Sequence, residues 1–249
     1  MNENPTSSHV DDARMPFTGH LQELRSCLIY SLLAVGIGFA LCYNYAENLF
    51  FFLTRPLKQI DTPGLTLIGT SVIEAFFTKM KVAFVAGIVL ALPVVLWQIW
   101  RFVAPGLYEH EKRYARSFVF CGTVCFLLGA WFCYAVVFQF GFGFLLRRYE
   151  AIQVRPAIRI GEYLSFASRL VLALGVAFEL PVLAYFFSRV GLIDHRFLVR
   201  QFRYAVVIIF ILAAILTPPD IISQILLAVP LMALYGISVA VAYLAGRKS

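Results

Sequence analysis

The chain has 249 residues, 61% of them hydrophobic and only 14% charged, with a mean hydropathy of +0.80. A soluble domain of this length cannot hide so much apolar surface in one core, so the composition points to a polytopic membrane protein. The net charge of +7 fits basic loops on one side of a membrane better than a nucleic-acid surface.

The predicted elements follow in chain order. Residues 1–14, MNENPTSSHVDDAR, carry Glu3, Asp11 and Asp12 and no basic n-region. They read as a short disordered tail rather than a cleavable signal peptide. Residues 15–246 read as one membrane domain, and 247–249 as its C-terminal end. In MPFTGHLQELRSCL, Leu21, Leu24 and Leu28 recur at i, i+3 and i+7, which predicts an amphipathic helical turn leading into the membrane.

A spanning helix needs about 20 mainly apolar residues. Six runs are expected to cross: Ser26 to Ala46, Val82 to Trp100 (helical from about Glu74), Phe118 to Phe144, Leu164 to Phe187, Tyr204 to Leu216, and Ile221 to Leu244. The fifth would reach only roughly 20 Å, against a hydrocarbon core of about 30 Å. Pro230 interrupts the sixth, so both are expected to be short. Pro93 and Pro181 are expected to kink the second and fourth. Tolerated prolines in an ordinary bundle and a curved, concave wall both fit this pattern. The fold class is therefore all-α and integral to the membrane, with no second domain or internal repeat.

An even number of spans puts both termini on one side. Of the 21 Lys and Arg residues, 12 fall on that side, among them Arg14, Arg25, Lys112, Arg113, Arg196 and Arg203. The segments there are shorter, so their basic density is higher and both termini are expected in the cytoplasm.

Catalytic spacings are missing. His9, His20, His110 and His195 form no HExxH and no pair at helical spacing, and there is no GxSxG or P-loop. The cysteines Cys27, Cys42, Cys121, Cys125 and Cys133 all lie in apolar runs without a CxxC, so packing is expected rather than metal or disulfide chemistry. No catalytic residue, metal ligand or cofactor is assigned, and an enzyme is not expected.

Isolated acids remain. Helical neighbours lie at i±3 and i±4. For Glu23 these are Gly19, His20, Ser26 and Cys27, none of them Lys or Arg. In YEHEKRYAR, Glu109 has Lys112 and Arg113 at those positions, whereas Glu111 has Leu107, Tyr108, Tyr114 and Ala115. Glu23 and Glu111 are thus rim carboxylates without a local partner. Two readings stay open: hydrated acids, or acids paired with a distant Arg25 or Arg101, against a site for a positively charged peptide or substrate. Glu179, in LGVAFELPVL, lies within the fourth span. An ionised acid there costs about 2.5–3.5 kcal/mol or more, so it should be protonated, hydrogen-bonded to a residue such as Gln98 or Gln224, or facing a wet cavity.

Several of these stretches together resemble one family. They are HLQELR, FFTKMK, LPVVLWQIWRFVAPGLYEHEKR, YLSF, FELP and TPPDIISQILLAVPLMALY, running in order from about Met15 to Leu244. They are similar to TatC, the multi-spanning subunit family of the twin-arginine protein translocase. The resemblance implies a cupped six-helix bundle in the bacterial inner membrane that exports folded proteins using the proton-motive force.

Matched position by position, the resemblance implies a twin-arginine signal-peptide site at Glu23 and Glu111, with Arg25, Phe102, Pro105, Leu107 and Tyr108 beside it. Pro56 and Pro93 match structural positions, and Glu179 an intramembrane polar one. Small single-span partner subunits of the TatA and TatB type would pack on the fifth and sixth helices near Gln224 and Tyr235, in a hetero- and homo-oligomeric complex. The chain departs from the pattern at Cys27, where a second basic residue is common, at Gly236, where Glu is common, and at Arg159, where an acid is common. A proton-coupled small-solute transporter, with Glu179 as relay, is the alternative, but such proteins usually show internal repeat symmetry. A structural scaffold without its own recognition site is a third reading.

Overall fold

Lipid offers no water to backbone amides and carbonyls, so apolar runs satisfy those groups internally by becoming helices. The structure, a computed structural model, describes residues 17–60, 64–103 and 115–246; side chains are described from residue 21 onward, without those of 150 and 151. In chain order the elements are α1 (Phe17–Tyr43), α2 (Ala46–Gln59), β1 (Thr66–Ile68), α3 (Glu74–Val103) and α4 (Ala115–Phe132). A π-helical turn at Cys133–Val137 joins α4 to α5 (Phe138–Ala151). Then come β2 (Ala157–Arg159), α6 (Ile160–Ala177), α7 (Leu180–Arg189), α8 (His195–Arg200), α9 (Phe202–Leu216) and α10 (Ile221–Gly246).

Among the described residues, five stretches are long and apolar enough to cross a membrane: Leu21–Tyr43, Glu74–Val103, Ala115–Tyr149, Ile160–Arg189 and Ile221–Gly246. Phe202–Leu216 is a shorter apolar helix, as expected for the fifth span. The sixth differs from expectation. α10 is 26 residues long and runs through Pro230, so it is not short. α3 likewise runs through Pro93. A proline removes one hydrogen bond, whereas ending the helix in an apolar setting would strand several backbone groups. Of Pro93, Pro181 and Pro230, only Pro181 coincides with a break, at Phe178 and Glu179, where it sits in the first turn of α7 and needs no intrahelical donor.

The helices approach closely where glycines face each other. A Cβ on Gly38 of α1 would meet the Gly87 carbonyl oxygen of α3 at 2.6 Å, and one on Gly87 would meet the Phe39 nitrogen at 2.5 Å. The two backbones are therefore in contact, the usual use of small residues between membrane helices. One core gathers Leu57, Phe138, Phe142, Leu164, Leu174 and Leu227 from α2, α5, α6 and α10. A second, of Leu96, Trp100, Phe118, Phe126 and Phe186, joins α3, α4 and α7.

At the end opposite the termini, here the distal end, the loops form a brace that the sequence reading did not anticipate. β1 and β2 pair in parallel with Leu67 opposite Ile158. Glu74, at the start of α3, accepts hydrogen bonds from the Thr70 amide (2.7 Å), the Thr70 hydroxyl (3.1 Å) and the Gly161 amide at the start of α6 (2.8 Å). Arg159 donates to Thr70 Oγ1 and to Glu162, both at 3.0 Å, so a basic residue fits at this position. The amphipathic α2 is pinned by the Tyr163 hydroxyl on the Leu53 carbonyl (2.7 Å) and by Tyr134, which stacks on Phe52. Pro56 lies buried inside α2. Lys79 donates to Glu47 at 2.9 Å, which holds that carboxyl below its ordinary range.

Candidate functional site

The rim around Glu23 lies at the end of the bundle where α1 begins and α3 ends. α1 is regular through Glu23, so the i±4 neighbours inferred from spacing are its real neighbours. Ser26 donates its hydroxyl to the Gln22 carbonyl at 3.1 Å, and Cys27 is buried. Glu23 itself is half-buried, and its Oε2 is shielded from solvent with no hydrogen-bond partner among the described residues. Arg25 and Arg101 are exposed, and Phe102 is half-buried.

Trp100 anchors the end of α3, with its ring 4.3 Å from Phe186 and 5.2 Å from Phe118. Pro105, Leu107, Tyr108 and Glu111, with Glu109, Lys112 and Arg113, lie outside the described residues. An acid oxygen that is desolvated and unmatched is costly until a donor arrives, and a guanidinium supplies the planar paired donors that fit it best.

Glu179 occupies the break between α6 and α7. It is only 7% exposed, and neither carboxyl oxygen has a hydrogen-bond partner among the described residues. Of the partners suggested by sequence, Gln224 donates its amide to the Phe210 carbonyl at 3.0 Å, and the Gln98 Oε1 is itself buried and unpartnered. The acid is buried rather than lining an open groove, because Gly122 of α4 leaves it room. A Cβ on Gly122 would come 2.9 Å from Glu179 Oε2 and 2.9 Å from Leu96 Cδ1. Gly122 was not singled out from sequence. Its spacing of one heptad from Gly129, whose own Cβ would strike the Leu174 carbonyl at 2.7 Å, is the signal that marks this close helix pair.

On α9 and α10 the predicted partner residues are held internally. Gln224 ties α10 to α9, as above. The Tyr235 hydroxyl donates to the Leu198 carbonyl of α8 at 2.8 Å. Asp220 caps α10 through the Ser223 amide at 2.8 Å. Gly236 is exposed, with nothing within 4 Å of a Cβ placed there. Between α6, α9 and α10 runs an apolar groove of about 470 Å³, lined by residues such as Leu172, Val176, Leu212, Leu216 and Leu231. No group of three or more His, Cys, Asp or Glu side chains that could hold a metal ion occurs among the described residues.

Comparison with known proteins agrees with this arrangement. The family model described as Sec-independent protein translocase protein (TatC) matches residues 19–230. A Sec-independent protein translocase protein TatC of Desulforapulum autotrophicum is 44% identical over 239 residues, covering 96% of this chain and 88% of the relative. A protein of the same name from Helicobacter pylori strain J99 is 45% identical over 223 residues, covering 90% and 87%. The crystal structure of a twin-arginine translocase receptor, TatC, superposes with a TM-score of 0.83 at 36% identity, covering 91% of this chain and 99% of that one.

Proposed function

This chain belongs to the TatC family of Sec-independent protein translocase proteins, and from that premise we propose that it is the subunit that receives twin-arginine signal peptides. The site is the rim at which the termini lie, in the cytoplasm, with the chain in the bacterial inner membrane and transport driven by the proton-motive force. Glu23 and Glu111 accept the two guanidinium groups, because charge-assisted, bidentate bonds supply both attraction and geometry. Arg25, Phe102, Pro105, Leu107 and Tyr108 shape the surround.

The observation that carries this reading is the Glu23 Oε2, desolvated and without a hydrogen-bond partner among the described residues. A solved relative described as a twin-arginine translocase receptor supports it. Single-span partner subunits of the TatA and TatB type pack against α9 and α10 beside Gln224 and Tyr235, and the apolar groove there supports that placement.

The test is site-specific crosslinking from positions 23 and 111 to a twin-arginine signal peptide, with a twin-lysine peptide as control. Lysine offers a point charge without the planar fork, so crosslinking to it is expected to fall sharply. Glu111→Gln is expected to weaken crosslinking and block export, while Glu109→Gln, at a position with Lys112 and Arg113 three and four residues on in sequence, leaves both near normal. Equal effects of the two substitutions would sink the pairing argument.

A further inference from the structure

Three acids at the distal end are already committed. Among the described residues, Glu47 meets Lys79, Glu74 is filled by Thr70 and Gly161, and Glu162 meets Arg159. Lys81 of α3 and Arg169 of α6, exposed on neighbouring spans, have no carboxylate partner among the described residues. They converge on one residue. Lys81 donates to the Ser165 hydroxyl at 2.6 Å, and Arg169 Nε donates to the Ser165 carbonyl at 3.1 Å. An ammonium has three donors and a guanidinium five, so most of their bonding capacity is unspent.

Depth argues for what fills it. Ile160–Arg189 spans 30 residues, or roughly 45 Å, so it overhangs a hydrocarbon core of about 30 Å at both ends. The Arg169 backbone lies roughly 14 Å in from Ile160, inside the core by that measure, and its side chain turns back one helical turn toward Ser165. Lys81 reaches the same level from α3. Both heads thus sit at the boundary between acyl chains and headgroups, the position long basic side chains seek by snorkelling. Phe77 and Phe84, four residues before and three after Lys81 on the same face of α3, are 56% and 50% exposed.

We propose that Lys81 and Arg169, organised by Ser165, form a site for the phosphate of an anionic phospholipid in the leaflet opposite the termini. The apolar rings flanking the cations suit acyl chains, which a free phosphate lacks. Two positive charges against one phosphodiester favour a headgroup that carries no amine of its own, such as phosphatidylglycerol. The site is independent of the rim at Glu23, so either proposal can fail without the other.

The experiment is lipid retention by the purified full chain, taken from vesicles of mixed phosphatidylglycerol and phosphatidylcholine and read by native mass spectrometry. Wild type should hold phosphatidylglycerol above its bulk share. Lys81→Gln with Arg169→Gln should lower that enrichment by about fivefold for each charge removed. Lys81→Arg, which keeps the charge, should restore most of the loss in the presence of native Arg169. Arg55→Gln with Lys58→Gln, on α2, should leave the enrichment unchanged and controls for net charge. Retention indifferent to the Lys81 and Arg169 pair would overturn the site, as would displacement of the lipid by inorganic phosphate alone. Thermal unfolding of each variant in detergent separates loss of fold from loss of binding. A double variant that unfolds would be replaced by the two single ones, each expected to show its own share of the loss.

Discussion

At the scale of single residues, what matters most is whether an acid finds a donor. The spacing argument for Glu23 needed only a regular helix, and α1 supplies one, with Ser26 occupied by Gln22. That part of the site was legible because i±4 geometry is local. The surroundings of Glu179 were not, because its burial is created by Gly122 on another helix. Gly122→Ala is expected to destabilise the fold by about 1–3 kcal/mol through overpacking and to displace the acid, read as a lower midpoint of thermal unfolding in detergent. Glu179→Ala is expected to impair export or complex assembly; a variant with both unchanged would deny the residue a role.

At the scale of elements, the hydropathy of each run foretold its helix, because a span must be apolar along its length. Hydropathy was silent on α2, whose sequence AENLFFFLTRPLKQ alternates faces and includes Pro56, and on three-residue strands that exist only by pairing with each other. It also misjudged α10, since a proline in the sequence says nothing about how cheaply its surroundings absorb one missing bond. Close contact between elements yields a sharp contrast. Gly38→Ala should cost about 1–3 kcal/mol, because its Cβ would strike the Gly87 backbone, which cannot move aside as a side chain can. Gly36→Ala on the same helix, with nothing within 4 Å of the new Cβ, should change stability by less than about 1 kcal/mol. Thermal unfolding of both variants in one detergent compares them directly.

At the scale of the whole molecule, the basic residues and the even number of spans give an orientation that labelling can check. Val72, 98% exposed beside the distal brace, when changed to Cys in a background without the five native cysteines, should react with an impermeant maleimide added from outside the cytoplasm. A cysteine at Arg196 in α8 should react only after the membrane is opened, and the reverse pattern would invert the topology. The brace has a mechanical consequence as well. Glu74 bolts the starts of α3 and α6 to each other, while the far ends of the same spans carry Phe102 and Arg189. Such a pair behaves as two levers on one pivot. A tilt of about 5° over a lever of roughly 45 Å moves the far end by about 4 Å and leaves the pivot almost still. Displacement is thus small at the distal loops and greatest at the rim where cargo would first be met.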